Sequence, residues 1–302
     1  DKATEYLKVD EDEKGDLYDM PYFTEFACHA LRARVSLYMH RWDDAIKYAS
    51  KVINSKRYFM ASCTQNIGSI SMYDYQWQEG KSTEGIWKVE FTLNSYGGAL
   101  GTVFSNYNYA TYRPDYVPAK WVINSYDNND LRVSSIFRNV TTGYEHALNW
   151  PMLIKYMGDS DFRRNNILHV HRPTVLRLSE QYLIRAEAYA MKEDYTKAGK
   201  DISTLRTARY STYGGNTALS KSNAMDVIEA ERVKELYMEG FRLNDLKRWH
   251  KGFKRNINDQ PAANFVQSSL KVEKDDPLFV WPIPQHELEA PGSEIEPNES
   301  NK

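Results

Sequence analysis

The sequence predicts a mainly α protein: antiparallel helical pairs separated by a long loop-rich insertion that carries short β-strands. Three observations predict it. Leu178, Tyr182, Ala186 and Tyr189 fall at i, i+4, i+8 and i+11, and Tyr195, Ala198, Ile202 and Leu205 then restart the pattern at i, i+3, i+7 and i+10. The polar turn Lys192-Glu193-Asp194 between these runs is so short that the two helices must fold back on each other, with Ala186 and Ala198 allowing close approach. The stretch ALRARVSLYMHRWDDAIKYASKVI repeats the layout: Ala33 and Ala45 have the spacing of Ala186 and Ala198, and Trp42 stands where Tyr195 stands. Between the two pairs, from about Tyr58 to Arg172, the helical period is lost and Gly, Asn and Ser punctuate short runs.

In chain order, residues 1–21 are polar and acidic and read as a tail or linker. Asp10, Asp12, Lys14, Gly15 and Asp16 sketch a calcium loop, but Pro21 holds the twelfth position, where a carboxylate is needed. Residues 22–55 make the first pair, with Asp43 and Asp44 at the N-terminus of its second helix, where acidic groups suit the dipole. Within the inserted region, 58–172, the run from Gly85 to Phe91 alternates as a strand with Trp87, Val89 and Phe91 on one face. Residues 119–126 read as a short helix, and Trp87 and Trp121 read as core. The second pair occupies 173–209. Further helices fill 223–250: one over 223–239, stopped by Gly240, and one over 241–249. Pro277 to Pro284 is an extended apolar segment whose prolines forbid a helix, with Trp281 packed between them. Residues 290–302 read as an exposed tail.

Composition narrows the function. A formal charge of -2 over 302 residues argues against nucleic acid or anionic lipid as the main partner. Cys28 and Cys63 make neither a disulfide framework nor a metal site, and Cys28 reads as a small buried hydrophobe. His169 and His171 would share a strand face, but no third ligand stands near them, so neither metal nor cofactor is expected. HExxH, P-loop, GxSxG and GxGxxG elements are lacking, and no nucleophile has a plausible partner. The charged block Glu231-Arg232, Lys234-Glu235, Glu239, Arg242, Asp245, Lys247-Arg248 has the spacing of scaffold ion pairs.

Aromatic content is the outlying quantity, at 13% with 22 Tyr and 7 Trp. The rings concentrate in loops. Tyr73, Tyr75 and Trp77 form one cluster, and Tyr107, Tyr109 and Tyr112, interleaved with Asn106, Asn108 and Arg113, form another. Flat rings bury the C–H face of a sugar while amide and guanidinium groups bond its hydroxyl rim, so these nine residues are the candidate glycan-binding set. The competing reading is that the tyrosines merely cover the scaffold.

Six segments then carry a resemblance. They are ARVSLYMHRWDDAIKYASKVI, STEGIWKVEF, VINSYDNNDLR followed by LIKYM, RLSEQYLIRAEAY, ERVKELYMEGFRLNDLKRW and PLFVWPIPQHEL. The helical pairs resemble tetratricopeptide (TPR) pairs, although TPR arrays repeat every ~34 residues and these two are much further apart. In this order the six segments resemble the SusD/RagB family of outer-membrane nutrient-binding lipoproteins of Bacteroidetes, over residues 22–289. The resemblance implies a non-catalytic domain holding an oligosaccharide at the cell surface, for delivery to a SusC-like TonB-dependent transporter docked on the TPR-like side. It also implies an outer-membrane location through an N-terminal lipid. The family's lipidated Cys and N-terminal third do not stand in this sequence, and its usual ending is replaced by EAPGSEIEPNESNK. Any part of the site supplied by that third would be missing here. The alternative is a RagB-like peptide binder or a TPR-type protein-interaction module, for which exposed aromatics would line the helical groove instead of the insertion.

Overall fold

In a computed structural model of the chain, which describes residue 7 and residues 21–143, 149–259 and 271–301, Thr24 caps the first helix, α1 (Glu25–Tyr38), by accepting from the Ala27 amide. The acidic stretch read at Asp10–Asp16 lies outside the described residues. Helix α2 (Trp42–Asn54) folds back on α1. Its N-cap is Arg41, which makes no side-chain cap bond; Asp43 and Asp44 lie in its first turn, and Asp44 pairs with Arg41.

The inserted region follows. A small hairpin, β1 (Asn66–Ile67) and β2 (Ile70–Ser71), leads into α3 (Met72–Gln78), capped by the Ser71 hydroxyl. Strand β3 (Gly85–Lys88) is shorter than the sequence pattern suggests, and its buried side chains are Ile86 and Lys88; Trp87, Val89 and Phe91 are only half-buried. Trp87 meets Phe23 edge-on at 5.2 Å between ring centres. Helix α4 (Lys120–Asn124) leaves Trp121 45% exposed, so Trp121 is not core: so short a helix has little face to bury, and its buried residue is Val122. Helix α5 (Arg132–Ile136) runs into an antiparallel hairpin of β4 (Phe137–Thr141) and β5 (Asn149–Leu153). Trp150 on β5 is buried and donates its indole N–H to the Pro118 carbonyl at 2.8 Å. Helix α6 (Ser160–Arg164) precedes β6 (Thr174–Arg177), which pairs antiparallel with β3.

Helices α7 (Leu178–Met191) and α8 (Tyr195–Arg209) form the second pair, and Asp194 caps α8 from the short turn. All four spacing alanines, Ala33, Ala45, Ala186 and Ala198, are fully buried. The two pairs are contiguous in space: α2 packs on α7, and Ala33, Leu37, Ala45, Ala49, Ile184 and Ala188 share one apolar cluster. Arg34 clamps Glu180 through two 2.6 Å bonds, and Arg185 reaches both Asp201 across the second pair and Ser50 on α2. The chain therefore leaves a helical stack after α2, builds the insertion, and returns to continue the same stack.

Helix α9 (Ala224–Glu235) ends earlier than its apolar pattern suggests. Tyr126 donates to the Lys234 carbonyl at 2.8 Å and Arg177 to the Glu235 carbonyl at 2.6 Å, so side chains satisfy carbonyls that another helical turn would have used. The chain divides here into two compact units, residues 1–235 and 236–302. In the second unit, α10 (Arg242–Arg248) carries an Asp245–Arg248 pair, β7 (Phe253–Lys254) pairs with β8 (Lys271–Val272), and α11 spans Gln285–Leu288. The proline segment is not uniformly packed: Phe279 is buried, whereas Trp281 is 82% exposed, which corrects its reading as a packed ring. With prolines at 277, 282 and 284 the segment adds no strand to a sheet. It is instead tied to the chain end by two Asn301–Ile283 bonds and by Asn298 donating to the Trp281 carbonyl.

Candidate functional site

The second aromatic cluster folds as a small hairpin. Tyr107 and Tyr112 bridge antiparallel, and Asn108 closes the turn by accepting at its side-chain oxygen from the Ala110 and Thr111 amides at 3.2 and 2.8 Å. This Asx-type turn is one asparagine forms readily. Asn106 and Tyr109 both take positive φ, 41° and 69°, and the turn throws Tyr109 outward, 59% exposed. The Tyr107 and Tyr112 rings stack at 4.6 Å between centres, and Tyr109 meets Tyr107 edge-on at 5.9 Å. Asn106, Asn108 and Arg113 are exposed around them. The three tyrosines thus form a ledge with amide and guanidinium groups at its rim.

Contacts from distant segments fix the ledge. Tyr112 bridges Thr142, and the Gly143 amide donates to the Tyr112 carbonyl at 2.9 Å. Arg113 Nε donates to the Gly143 carbonyl at 3.0 Å. The Tyr109 hydroxyl donates to Asn166 Oδ1 at 3.4 Å. His169 pins the base: Nε2 lies 2.8 Å from the Tyr107 carbonyl and Nδ1 3.2 Å from Ser105 Oγ. A carbonyl can only accept, so Nε2 carries the proton. Burial lowers the His169 pKa, which favours this neutral form.

The two histidines do not form a metal pair. His169 has φ 66° and turns away from His171, which packs against Trp77 and Tyr156 with Nδ1 2.6 Å from Asp159 Oδ1. The left-handed backbone at His169 breaks the strand alternation that a shared face requires. Among the described residues, no group of three His, Cys, Asp or Glu could hold a metal ion.

The first aromatic cluster lies beneath the site. Tyr73 is 0% and Trp77 5% exposed, so neither can offer a face to a ligand. Arg209 sits 4.5 Å from the Tyr73 ring centre and the Lys155 ammonium 4.0 Å from that of Trp77, so these rings serve buried cations. Tyr75, on the same helix, is half-buried. Trp77 meets Tyr156, and Tyr156 meets Phe104 at the foot of the tyrosine hairpin, at 6.3 and 5.7 Å. At Gly101 a Cβ would fall 1.8 Å from the Tyr156 carbonyl oxygen, so only glycine allows the hairpin's base to sit this close. The structure therefore buries Tyr73 and Trp77, half-buries Tyr75, Tyr107 and Tyr112, and exposes Asn106, Asn108, Tyr109 and Arg113.

Deeper still is a balanced ion network. Arg132 bonds Asp130, Glu231 and Glu235 at 2.6 to 2.8 Å. Arg209 and Arg177 both reach Glu84 and Glu235, and Arg206 meets Glu231 at 2.8 Å. Four arginines thus face four carboxylates. Burial alone would raise the Glu235 carboxyl, but Arg209, Arg177 and Arg132 hold it well below the usual carboxylate value; Glu231 is lowered in the same way by its cations. Both are held ionised, which suits scaffold ion pairs and not proton donation.

The spacing of the sequence did not single out Asn166, Thr142, Ser105 or the pinning role of His169. Asn166 takes φ 60°, a left-handed conformation that asparagine adopts readily.

The sequence model of the SusD family (SusD/RagB) matches residues 107–293, more than half of the chain, from the tyrosine ledge through the proline segment. The chain belongs to the SusD family. Solved structures agree with the fold of this family member. A SusD superfamily protein from Bacteroides thetaiotaomicron superposes with a TM-score of 0.72 at 23% identity, covering 90% of this chain and 60% of its own. A putative sugar binding protein from Bacteroides vulgatus gives 0.70 at 21%, covering 98% and 62%. Surface glycan-binding protein A from Bacteroides uniformis gives 0.66 at 17%, covering 97% and 64%. The SusD family member described here thus spans less than two thirds of the length of these neighbours. No curated protein matches it. Among its described residues, no helix is long and apolar enough to cross a membrane.

Proposed function

We propose that this chain holds an oligosaccharide at the bacterial surface without altering it, for delivery to a SusC-like TonB-dependent transporter of the outer membrane. Membrane attachment would be through an N-terminal lipid. The observation that carries the reading is the ledge of the exposed Tyr109 beside the half-buried, mutually stacked Tyr107 and Tyr112, with the exposed Asn106, Asn108 and Arg113 at its rim. Stacked rings of this kind accept the apolar face of a pyranose, and a preformed ledge loses little entropy on binding. Family membership supports the reading, as do the names of two solved neighbours, one a putative sugar binding protein and one a surface glycan-binding protein. The buried carboxylates support a non-catalytic role, because their arginine partners keep them charged. Delivery needs a second surface. Leu31 and Val35 on α1 and Met39 at its C-cap, at i, i+4 and i+8, are exposed and support docking of the transporter on the helical side.

The test is electrophoresis of the chain through gels that contain soluble polysaccharides: amylopectin, xylan, polygalacturonate and chondroitin sulfate. At least one should retard it, and Tyr107→Ala, Tyr109→Ala and Tyr112→Ala should each reduce the retardation. A chain that none of the gels retards, or retardation that survives all three substitutions, overturns the reading.

A further inference from the structure

We propose that the ledge is built for an acidic carbohydrate, a chain carrying carboxylate or sulfate groups; this rests on the carbohydrate reading above. Arg113 follows Tyr112 directly and is exposed. Its Nε is held by the Gly143 carbonyl at 3.0 Å, which orients the guanidinium, and among the described residues no carboxylate pairs with it. Two more guanidinium groups lie on the neighbouring segment. Tyr109 bonds Asn166, and Arg163 and Arg164 precede that residue by three and two positions. Arg163 donates to the Gln78 carbonyl, not to a carboxylate. Arg164 is 72% exposed, and its contact with Glu79 is long, at 3.8 Å.

The carboxylates nearby are mostly engaged elsewhere. Asp161 and Asp159 both pair with Arg172, at 2.6 and 3.2 Å, and Glu79 also accepts from Ser160. Among the described residues, Asp115 is an exposed carboxylate that follows Arg113 by two positions. Arg113 therefore stands at the rim of the rings, oriented and, among the described residues, without a carboxylate partner, while Arg163 and Arg164 lie on the segment that Tyr109 bonds. A neutral sugar needs no such unpaired guanidinium. A carboxylate or sulfate does, since a guanidinium offers paired N–H donors in one plane to two oxygens. Tyrosine faces would take the ring of the sugar while Arg113 takes its charge.

The test compares amylopectin, polygalacturonate and chondroitin sulfate gels, with poly-glutamate as a polyanion that has no sugar ring. Polygalacturonate or chondroitin sulfate should retard the wild-type chain more than amylopectin, and added NaCl should weaken that retardation. Arg113→Gln should weaken binding of the acidic polymer about tenfold, the loss expected for one hydrogen bond to a charged group. Tyr109→Ala should also weaken it, and the melting temperatures of both variants should match wild type. Retention of amylopectin alone, lost in Tyr109→Ala, would sink the acidic-ligand inference and leave carbohydrate capture standing. Equal retention by poly-glutamate, or an Arg113→Gln chain that binds as wild type, would also overturn it.

Discussion

Tyr73 and Tyr109 are the same residue in aromatic-rich segments of similar composition, yet they have opposite physical roles. Tyr73 has no exposed surface and lies under the Arg209 guanidinium; Tyr109 projects from a turn on a left-handed backbone. Tyr73→Ala removes a buried ring and should cost about 3–5 kcal/mol in urea unfolding. Tyr109→Ala removes an exposed one and should change stability by no more than about 0.5 kcal/mol. Equal losses for the two would contradict the division between foundation and ledge. Trp121 and Trp281 make the same point in reverse: apolar context suggested burial, and both are open.

At the scale of elements, the helical pairs have two unlike faces. Their inner faces are small and close-packed, with Ala33, Ala45, Ala186 and Ala198 at the crossings. The outer face of α1 leaves Leu31 and Val35 exposed, with Met39 at the C-cap in line with them, although surface helices usually present polar groups there. If that stripe docks a SusC-like transporter, Val35→Glu should prevent co-purification of the pair from membranes while leaving polysaccharide retention unchanged. Undiminished co-purification would move the docking surface elsewhere. The tyrosine hairpin shows a different economy of design: a loop lacking extended secondary structure is held by His169, Asn166, Thr142 and Gly143, each from a distant part of the sequence.

At the scale of the whole molecule, the ion network explains how so long an excursion can return to its scaffold. Asp130 and Arg132 come from the insertion, Glu84 from the loop before β3, Arg177 from β6, Arg209 from α8, and Glu231 and Glu235 from α9. Every charge is answered, so the network's desolvation penalty is offset only while all its members are in place. Glu235→Gln should therefore destabilise the protein by about 3–5 kcal/mol at neutral pH. It should also change the acid response. The folded-state pKa of Glu235 lies well below the ordinary 4.5, so its contribution is complete above 4.5 and is lost as pH falls through the folded value. Urea melts across that range should show wild type losing stability more steeply than Glu235→Gln. Parallel curves would mean that Glu235 is not held charged.

The periodic residues of both helical pairs, the small residues at their crossings and the strand at Gly85 were legible in the chain itself, because repeat spacing is a property of the covalent backbone. The segments VINSYDNNDLR, LIKYM and ERVKELY were legible as a family pattern, and the structure supplies their reason: Asp130, Arg132, Lys155, Tyr156, Glu231 and Glu235 are all buried, and four of them join one ion network. Exposure was decided only by tertiary structure. Whether a tyrosine faces solvent depends on which distant segment covers it, and no spacing rule encodes the approach of Arg209 to Tyr73 or of His169 to Tyr107.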